Sequence, residues 1–460
     1  MPRFHDRTSR RRWVGVPRRP QREPFEAIAD AIERDIVGGR FAPGARLPTH
    51  RATAERFGVA VATVSRAYSE VQRRGLSNAR VGRGTFVRGA ARAGREAVAE
   101  RVDLTVSSLE PLRHAAEIFQ RLVCVTPRDD ALLRYPPVAG LPAHREAGAA
   151  WLRGMGVDCP AERVLITSGA QQGIAATLTA LVEPGGVVLA ESLTYHGVRA
   201  LAQTQRFRLR AVELDSEGLI PDAVAAAARE SGARVLYCIP TLQNPTSTVM
   251  SAARRTALIE VARAHDLTII EDDVYGTLVP EVPRLAALAP ERTVYIASAA
   301  KALAAALRIG FVAAPEPVLP RIEHVLAATT LGAPALLAEA VHRLIADGVA
   351  ERIVNWKRHE LAARQEIVAH WCTGLAIHTH PVSQNVWLEL PAPWTADRFV
   401  ARAQVEGVLL TAASAFAIDA PAPEAVRFSV GPPETRADLE RALRMLQMLL
   451  RNENIARPVI

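Results

Sequence analysis

The chain has 460 residues, 49% of them hydrophobic, which is enough for two or three domains with sizeable cores. No apolar run is long enough to span a bilayer without meeting a charge, and the N-terminus lacks an apolar leader core, so neither a membrane helix nor a secretory signal is expected. The net charge of +8 is unevenly spread. Residues 1–90 hold nineteen Arg against eight Asp and Glu, a balance of +11, and the remaining chain sums to −3. An excess confined to the first fifth points to a polyanion partner for that part alone.

Residues 1–22 read as a basic, Pro-containing, disordered arm. Residues 23–88 read as a small helical domain closed by a hairpin. Phe25, Ile28, Ile32 and Ile36 share one helical face that ends at Gly38-Gly39. Pro43-Gly44 marks a turn, Thr49 a helix cap, and Gly58 the stop of a second short helix. A third helix carries Val64, Ala67, Tyr68 and Val71 and stops at Gly75. Gly82 to Val87 reads as a tight hairpin. Helix, Gly turn, helix, hairpin is the plan of a winged helix-turn-helix, and Ala54, Gly58 and Val64 have its spacing: small residue, turn, apolar plug.

Residues 89–101 are rich in Ala, Gly and Arg and read as a linker. From 102 to 460 short apolar runs alternate with longer amphipathic ones, the pattern of an α/β domain with a mainly parallel sheet. A smaller C-terminal α+β subdomain is expected from about residue 345. Apolar runs at 164–167, 235–239, 267–270 and 293–297 read as strands, and a polar cluster follows each. These are Ser168-Gly169-Ala170-Gln171-Gln172, leading to an apolar helix over 174–181; Gln243-Asn244-Pro245-Thr246; Glu271-Asp272-Asp273-Val274-Tyr275; and Ser298-Ala299-Ala300-Lys301. Arg308-Ile309-Gly310 opens a further strand. Polar groups just past strand ends sit where parallel sheets bind ligands.

Lysine is scarce. Of 56 cationic Lys and Arg residues only Lys301 and Lys357 are Lys. Where any cation would serve, this chain uses Arg, so a surviving Lys is a candidate for work a guanidinium cannot do, such as deprotonating to a nucleophile. The four cysteines form no Cys-x-x-Cys pair. No zinc or other metal site and no disulfide framework is expected, and a reducing cytoplasm is the simplest setting.

The N-terminal part resembles the GntR class of regulators through Leu47-Pro48-Thr49-His50-Arg51, Thr63-Val64, Ala67-Tyr68 and Gly82 to Val87. The resemblance implies double-stranded DNA as partner. The third helix would enter the major groove, Arg51 would clamp phosphate, Thr63 and Arg66 would face the DNA, and Arg83 at the wing tip would reach the minor groove. The third helix opens on Ala60-Val61, where family members often carry Ser-Arg or Thr-Arg.

The ordered set in the large domain resembles aspartate-aminotransferase-like, fold-type I pyridoxal-phosphate enzymes over about 103–445. The resemblance implies pyridoxal 5'-phosphate in Schiff-base linkage to Lys301. Asp272 would pair with the pyridine nitrogen, Asn244 and Tyr275 with the ring hydroxyl, and Tyr195 would stack on the ring. Gly169, Ala170, Ser298 and Arg308 would hold the phosphate, and Arg427 a substrate or effector carboxylate. Tyr135 matches a residue that reaches the phosphate across a subunit boundary, which implies a homodimer. Two positions depart from the family pattern: Ser247 replaces a usual Gly, and residues 302–307 lack a usual Pro-Gly.

A GntR-like reader fused to such a body resembles MocR-type regulators. It implies a transcription regulator, a head-to-tail dimer that senses pyridoxal phosphate or an amino-group ligand. A working aminotransferase that carries a DNA-binding domain is the alternative reading. A body kept only for dimerisation is the third, and the intact Lys301, Asp272, Asn244, Tyr275 and Arg308 speak against it.

Overall fold

The computed structural model describes residues 24–37, 40–41, 45–73, 77–80, 84–87, 101–123, 130–419 and 421–451. The basic arm, the turns at Gly38-Gly39 and Pro43-Gly44, Gly75, Gly82, Arg83, Cys124 and residues 89–100 of the linker lie outside them. The chain divides into two units at residues 100 and 101.

In the first unit α1 (Pro24–Val37), α2 (His50–Phe57) and α3 (Val61–Arg73) are followed by a hairpin of β1 (Ser77–Arg80) and β2 (Gly84–Val87). Thr49 caps α2, its hydroxyl accepting from the Ala52 amide at 3.3 Å. Gly58 ends α2 at φ 63°, a left-handed turn that a Cβ would strain. Ile28, Ala29, Ile32, Leu47, Ala54, Val64, Ala67, Tyr68 and Val71 form the core, so Ala54 and Val64 share it as expected, with Gly58 making the turn between them. The Tyr68 hydroxyl donates to the Pro48 carbonyl at 2.7 Å and pairs with Thr53 at 2.9 Å, which ties α3 to the segment before α2. The Leu47 amide donates to Thr85, so this segment also lines up with the hairpin.

The second unit opens with β3 (Val102–Asp103) and is built on a seven-stranded sheet. Its strands are β4 (Val164–Thr167), β5 (Val187–Glu191), β6 (Arg208–Val212), then, past a small hairpin of β7 (Leu214–Asp215) and β8 (Gly218–Leu219), β9 (Val235–Cys238), β10 (Thr268–Asp272), β11 (Thr293–Ser298) and β12 (Gly310–Ala313). The order is β4-β12-β11-β10-β9-β5-β6, parallel except for β12, which runs antiparallel to both neighbours. β4, β9, β11 and β12 are buried along their whole length, because helices cover both faces. That is why their sequences are unbroken apolar runs rather than alternating ones.

The C-terminal subdomain is a long helix, Val349–Trp371, and an antiparallel sheet of β13 (Ile377–His378), β14 (Asn385–Glu389), β16 (Thr411–Ala412) and β17 (Ala425–Ser429), in the order β13-β14-β17-β16. β15 (Val408–Leu409) pairs with β3, and Val102, Leu104 and Leu109 sit in the same core as Leu361, Val386, Phe428 and Leu439. The first residues after the linker are therefore part of this subdomain's core.

Candidate functional site

β4, β9, β10 and β11 run parallel and end on one edge of the sheet, and antiparallel β12 begins there. Their terminal residues converge on a cavity of about 450 Å³. Ala170, Tyr195, Asn244, Asp272, Tyr275, Ser298, Lys301, Arg308 and Arg427 all line it. Gly169 lies directly behind Arg308: a Cβ there would stand 2.9 Å from the guanidinium. Tyr135 does not line the cavity and is 87% exposed on this protomer.

The apolar helix expected from Ile174 starts four residues earlier, at Ala170. Gly169 adopts φ 87° and breaks the chain from strand to helix, and the Gln172 carboxamide oxygen caps the Ser168 amide at 2.5 Å. The correction matters, because it sets the positive end of this helix on the cavity wall. Ser298 caps the short helix Ala299–Ala302, and Arg308 makes no hydrogen bond or ion pair among the described residues. A helix terminus, a hydroxyl and an unpaired guanidinium on one wall make an anion cradle.

The three consecutive acids divide their work by strand alternation. Glu271 and Asp273 turn to one side, where Glu271 accepts from the Leu285 and Ala286 amides near Arg255, and Asp273 pairs with Arg284 and the Tyr295 hydroxyl. Asp272 turns to the other side and lines the cavity. One of its oxygens accepts from the Tyr237 hydroxyl at 2.6 Å, and the other is buried without a partner. Burial raises its carboxyl to about 6, against the opposing effect of the Tyr237 hydrogen bond. A buried carboxylate oxygen lacking a donor is what a protonated ring nitrogen requires.

Tyr195 meets His196 edge-on at 4.7 Å, and burial, with Asp272 nearby, pushes its phenol up to about 12. Asn244 and Tyr275 are buried and also line the cavity. Ser247, where the sequence departs from the family's usual Gly, takes φ 64°. Its hydroxyl pairs with Ser383 at 2.8 Å and donates to the Asn385 carbonyl at 2.8 Å, compensating a conformation unfavourable for a side chain.

Two cations face this cavity with their bonds already made to one segment. The Lys301 Nζ donates to the Ser107 carbonyl at 2.6 Å. Arg427 donates to the Ser107 hydroxyl at 2.8 Å, to Asn244 at 3.3 Å and to the Thr105 carbonyl. Its Nε is buried without a partner, so the fork has a donor to spare. Sequence reasoning missed Thr105 and Ser107, which carry no motif and lie ahead of the first apolar run read as a strand. It also missed His196, which lines the cavity and whose partial desolvation, with the Arg427 and Lys301 charges near it, holds the imidazole below its usual range. Tyr237, a hydroxyl in an otherwise apolar strand, was the available signal for the support of Asp272.

The residues expected to face DNA are more simply placed. Arg51 is exposed on α2 and Thr63 half-buried on α3. Arg66 is exposed, with its guanidinium stacked over Phe25 at 4.3 Å. Val61 is 44% exposed at the start of α3. Elsewhere, His144, Glu339 and His342 bring three metal-ligating atoms within 4.8 Å, but Glu339 is bonded to both imidazoles and to Arg343, so hydrogen bonding accounts for the group.

Comparison with known proteins agrees with this layout. Residues 103–446 match the family of class I and II aminotransferases, and residues 24–87 match the bacterial regulatory proteins of the gntR family. The HTH-type transcriptional regulator YdeF of Bacillus subtilis is 28% identical over 95% of this chain and 96% of its own. The HTH-type transcriptional regulator TauR of Rhodobacter capsulatus is 29% identical over 91% of this chain and 96% of its own. The solved α-aminoadipate aminotransferase LysN of Thermus thermophilus, complexed with N-(5'-phosphopyridoxyl)-L-leucine, superposes with a TM-score of 0.69 at 26% identity, covering 78% of this chain and 94% of that one. The chain therefore belongs to the class I and II aminotransferase family through its large unit and carries a GntR-family helix-turn-helix ahead of it, the domain pairing of MocR-type regulators.

Proposed function

We propose that this protein is a pyridoxal-phosphate-dependent, DNA-binding transcription regulator of the cytoplasm, whose aminotransferase-like unit senses a ligand bearing an amine and a carboxylate. The observation that carries this reading is the double attachment of Thr105 and Ser107 to Lys301 and Arg427. Those residues lie just past the linker from the DNA reader in the chain.

The cofactor, when bound, supplies an aldehyde for an amine and a protonated ring that withdraws electrons. The residues present fit it. Lys301 offers the amine, and the partnerless oxygen of Asp272 would accept from the ring nitrogen. The helix at Ala170, Ser298, Arg308 and the space left by Gly169 would hold the phosphate. Asn244 and Tyr275 would bind the ring hydroxyl, and Tyr195 would cover the ring.

A carboxylate arriving at Arg427 competes for the guanidinium with the Thr105 carbonyl and the Ser107 hydroxyl. Occupying Lys301 likewise frees the Ser107 carbonyl. Either event removes bonds that hold Thr105 and Ser107, the residues that follow β3, so a ligand with different affinity for the bonded and unbonded forms shifts their population, and β3 is the element through which that shift would reach the linker. Exposed Tyr135 is suited to complete the site of a second subunit, in a head-to-tail homodimer.

The full set of groups also suits a working transaminase, and Arg427 with its spare donor favours that second reading. To separate them, the purified protein is loaded with pyridoxal phosphate, reduced with borohydride and peptide-mapped. Label is expected on Lys301; label on Lys357, or none, overturns the cofactor reading. Amino acids are then screened for a spectral change of the bound cofactor together with a change in affinity for the protein's own promoter. Stoichiometric change with altered DNA binding is the sensor's result, and repeated turnover with a keto acid is the enzyme's.

A further inference from the structure

The chain's only two lysines meet. Lys357 lies on the helix Val349–Trp371, wholly buried, and its Nζ donates to the backbone carbonyl of Lys301 at 2.9 Å. That carbonyl belongs to the short helix Ala299–Ala302, which also presents the Lys301 amine to the cavity. Burying an ammonium is costly, and a chain so rich in Arg could have placed Met or Leu there with less penalty. An ammonium also does what Arg does poorly in such a space: it is compact, serves a single acceptor, and can shed its proton when buried.

The charged groups whose fields reach Lys357 come from two elements. One is Glu110, on the segment after β3, which itself accepts from the Ser108 hydroxyl and the Ala305 amide. The other is Lys301. Burial, helped by the Lys301 charge and opposed by Glu110, brings the Lys357 ammonium down to about 7.

We propose that Lys357 is the positioning residue of the Lys301 site, clamping from behind the turn that projects the Lys301 amine, and that the two amines are coupled through their charges. The clamp rests on the cofactor reading for its purpose; the coupling of the amines does not.

Full-length protein labelled with 13C-lysine gives two Cε signals, assigned with Lys357→Met. The Lys357 signal is expected to titrate near pH 7 and its midpoint to rise in Lys301→Met, where the like charge is gone. A midpoint unmoved in Lys301→Met overturns the coupling. Uptake of pyridoxal phosphate, followed by absorbance and by borohydride-trapped mass, is expected to slow about tenfold or more in Lys357→Met, the worth of one charge-assisted hydrogen bond. Lys357→Gln, whose amide can still donate to the Lys301 carbonyl, is expected to regain most of the rate. Uptake at the wild-type rate in Lys357→Met, or a Gln variant as slow as Met, overturns the clamp; melting curves identify a variant that has merely unfolded, and Gln then carries the comparison. If the wild-type protein takes up no pyridoxal phosphate at Lys301, the proposed function fails, while the titration still decides whether the amines are coupled.

Discussion

In the reader unit Arg51 and Arg66 are exposed on α2 and α3 over a core of nine buried side chains among the described residues. In the aminotransferase-like unit Asp272 and Glu191 are buried at strand ends of the seven-stranded sheet, Arg427 on a strand of the C-terminal sheet and Lys357 on the helix Val349–Trp371. A small core cannot supply the partners that a buried charge needs, and a DNA phosphate needs only an exposed cation within reach. The large unit can afford the desolvation because strand ends and loops surround each charge with donors and acceptors. Buried charges make a site that is selective and sensitive to single substitutions; exposed ones make a surface in which each residue matters little.

The largest effect is expected where a buried guanidinium must fork onto a ligand. Arg427→Lys keeps the charge and loses the paired donors, so the amino-acid-induced spectral change should weaken about 100-fold in apparent affinity, while cofactor uptake at Lys301 persists. A titration that places the variant within a few-fold of wild type would break the contrast between the units.

Next comes a buried acid outside the proposed ligand contacts. Glu191 closes β5, accepting from the Ile239 amide at 2.9 Å and the Thr194 hydroxyl at 3.2 Å, and burial raises it to about 7. A carboxyl raised on folding favours the protonated form. Its contribution to stability is full below the ordinary carboxylate range and is lost as pH rises through about 7. Glu191→Gln should therefore melt with wild type at pH 5 and above it at pH 8, by on the order of 2 kcal/mol. A pH-independent difference in melting temperature would remove the charge from the explanation.

The smallest effect belongs to the reader. Arg51→Ala should weaken binding to all sequences alike by about threefold to tenfold and lower the slope of log affinity against log salt by about one. A sequence-selective loss in a gel-shift series would mean that Arg51 reads bases, and the reader would then resemble the large unit more than its exposed cations suggest.

Much of this was legible in the sequence for one physical reason: helix and strand periodicity, capping and turn chemistry act over a few residues. The Thr49 cap, the Gly58 turn and the Ala54–Val64 joint are local, and so is the arrangement in which Ser298, Lys301 and Arg308 follow and precede adjacent strands. The start of the helix at Ala170 was misjudged because apolar periodicity becomes visible only after its polar first turn.

What the tertiary structure alone decided is which distant groups meet. Alternation along β10 separates Asp272 from Glu271 and Asp273, but only the sheet's packing determines which side is the cavity. Ser107 lies 194 residues from Lys301, and Lys357 lies 56 residues away. Contacts of that separation leave no periodic trace, because they arise when whole elements pack and bring their ends together. The sequence by itself marked Lys301 as the lysine with a task; the fold showed that the other lysine stands behind it.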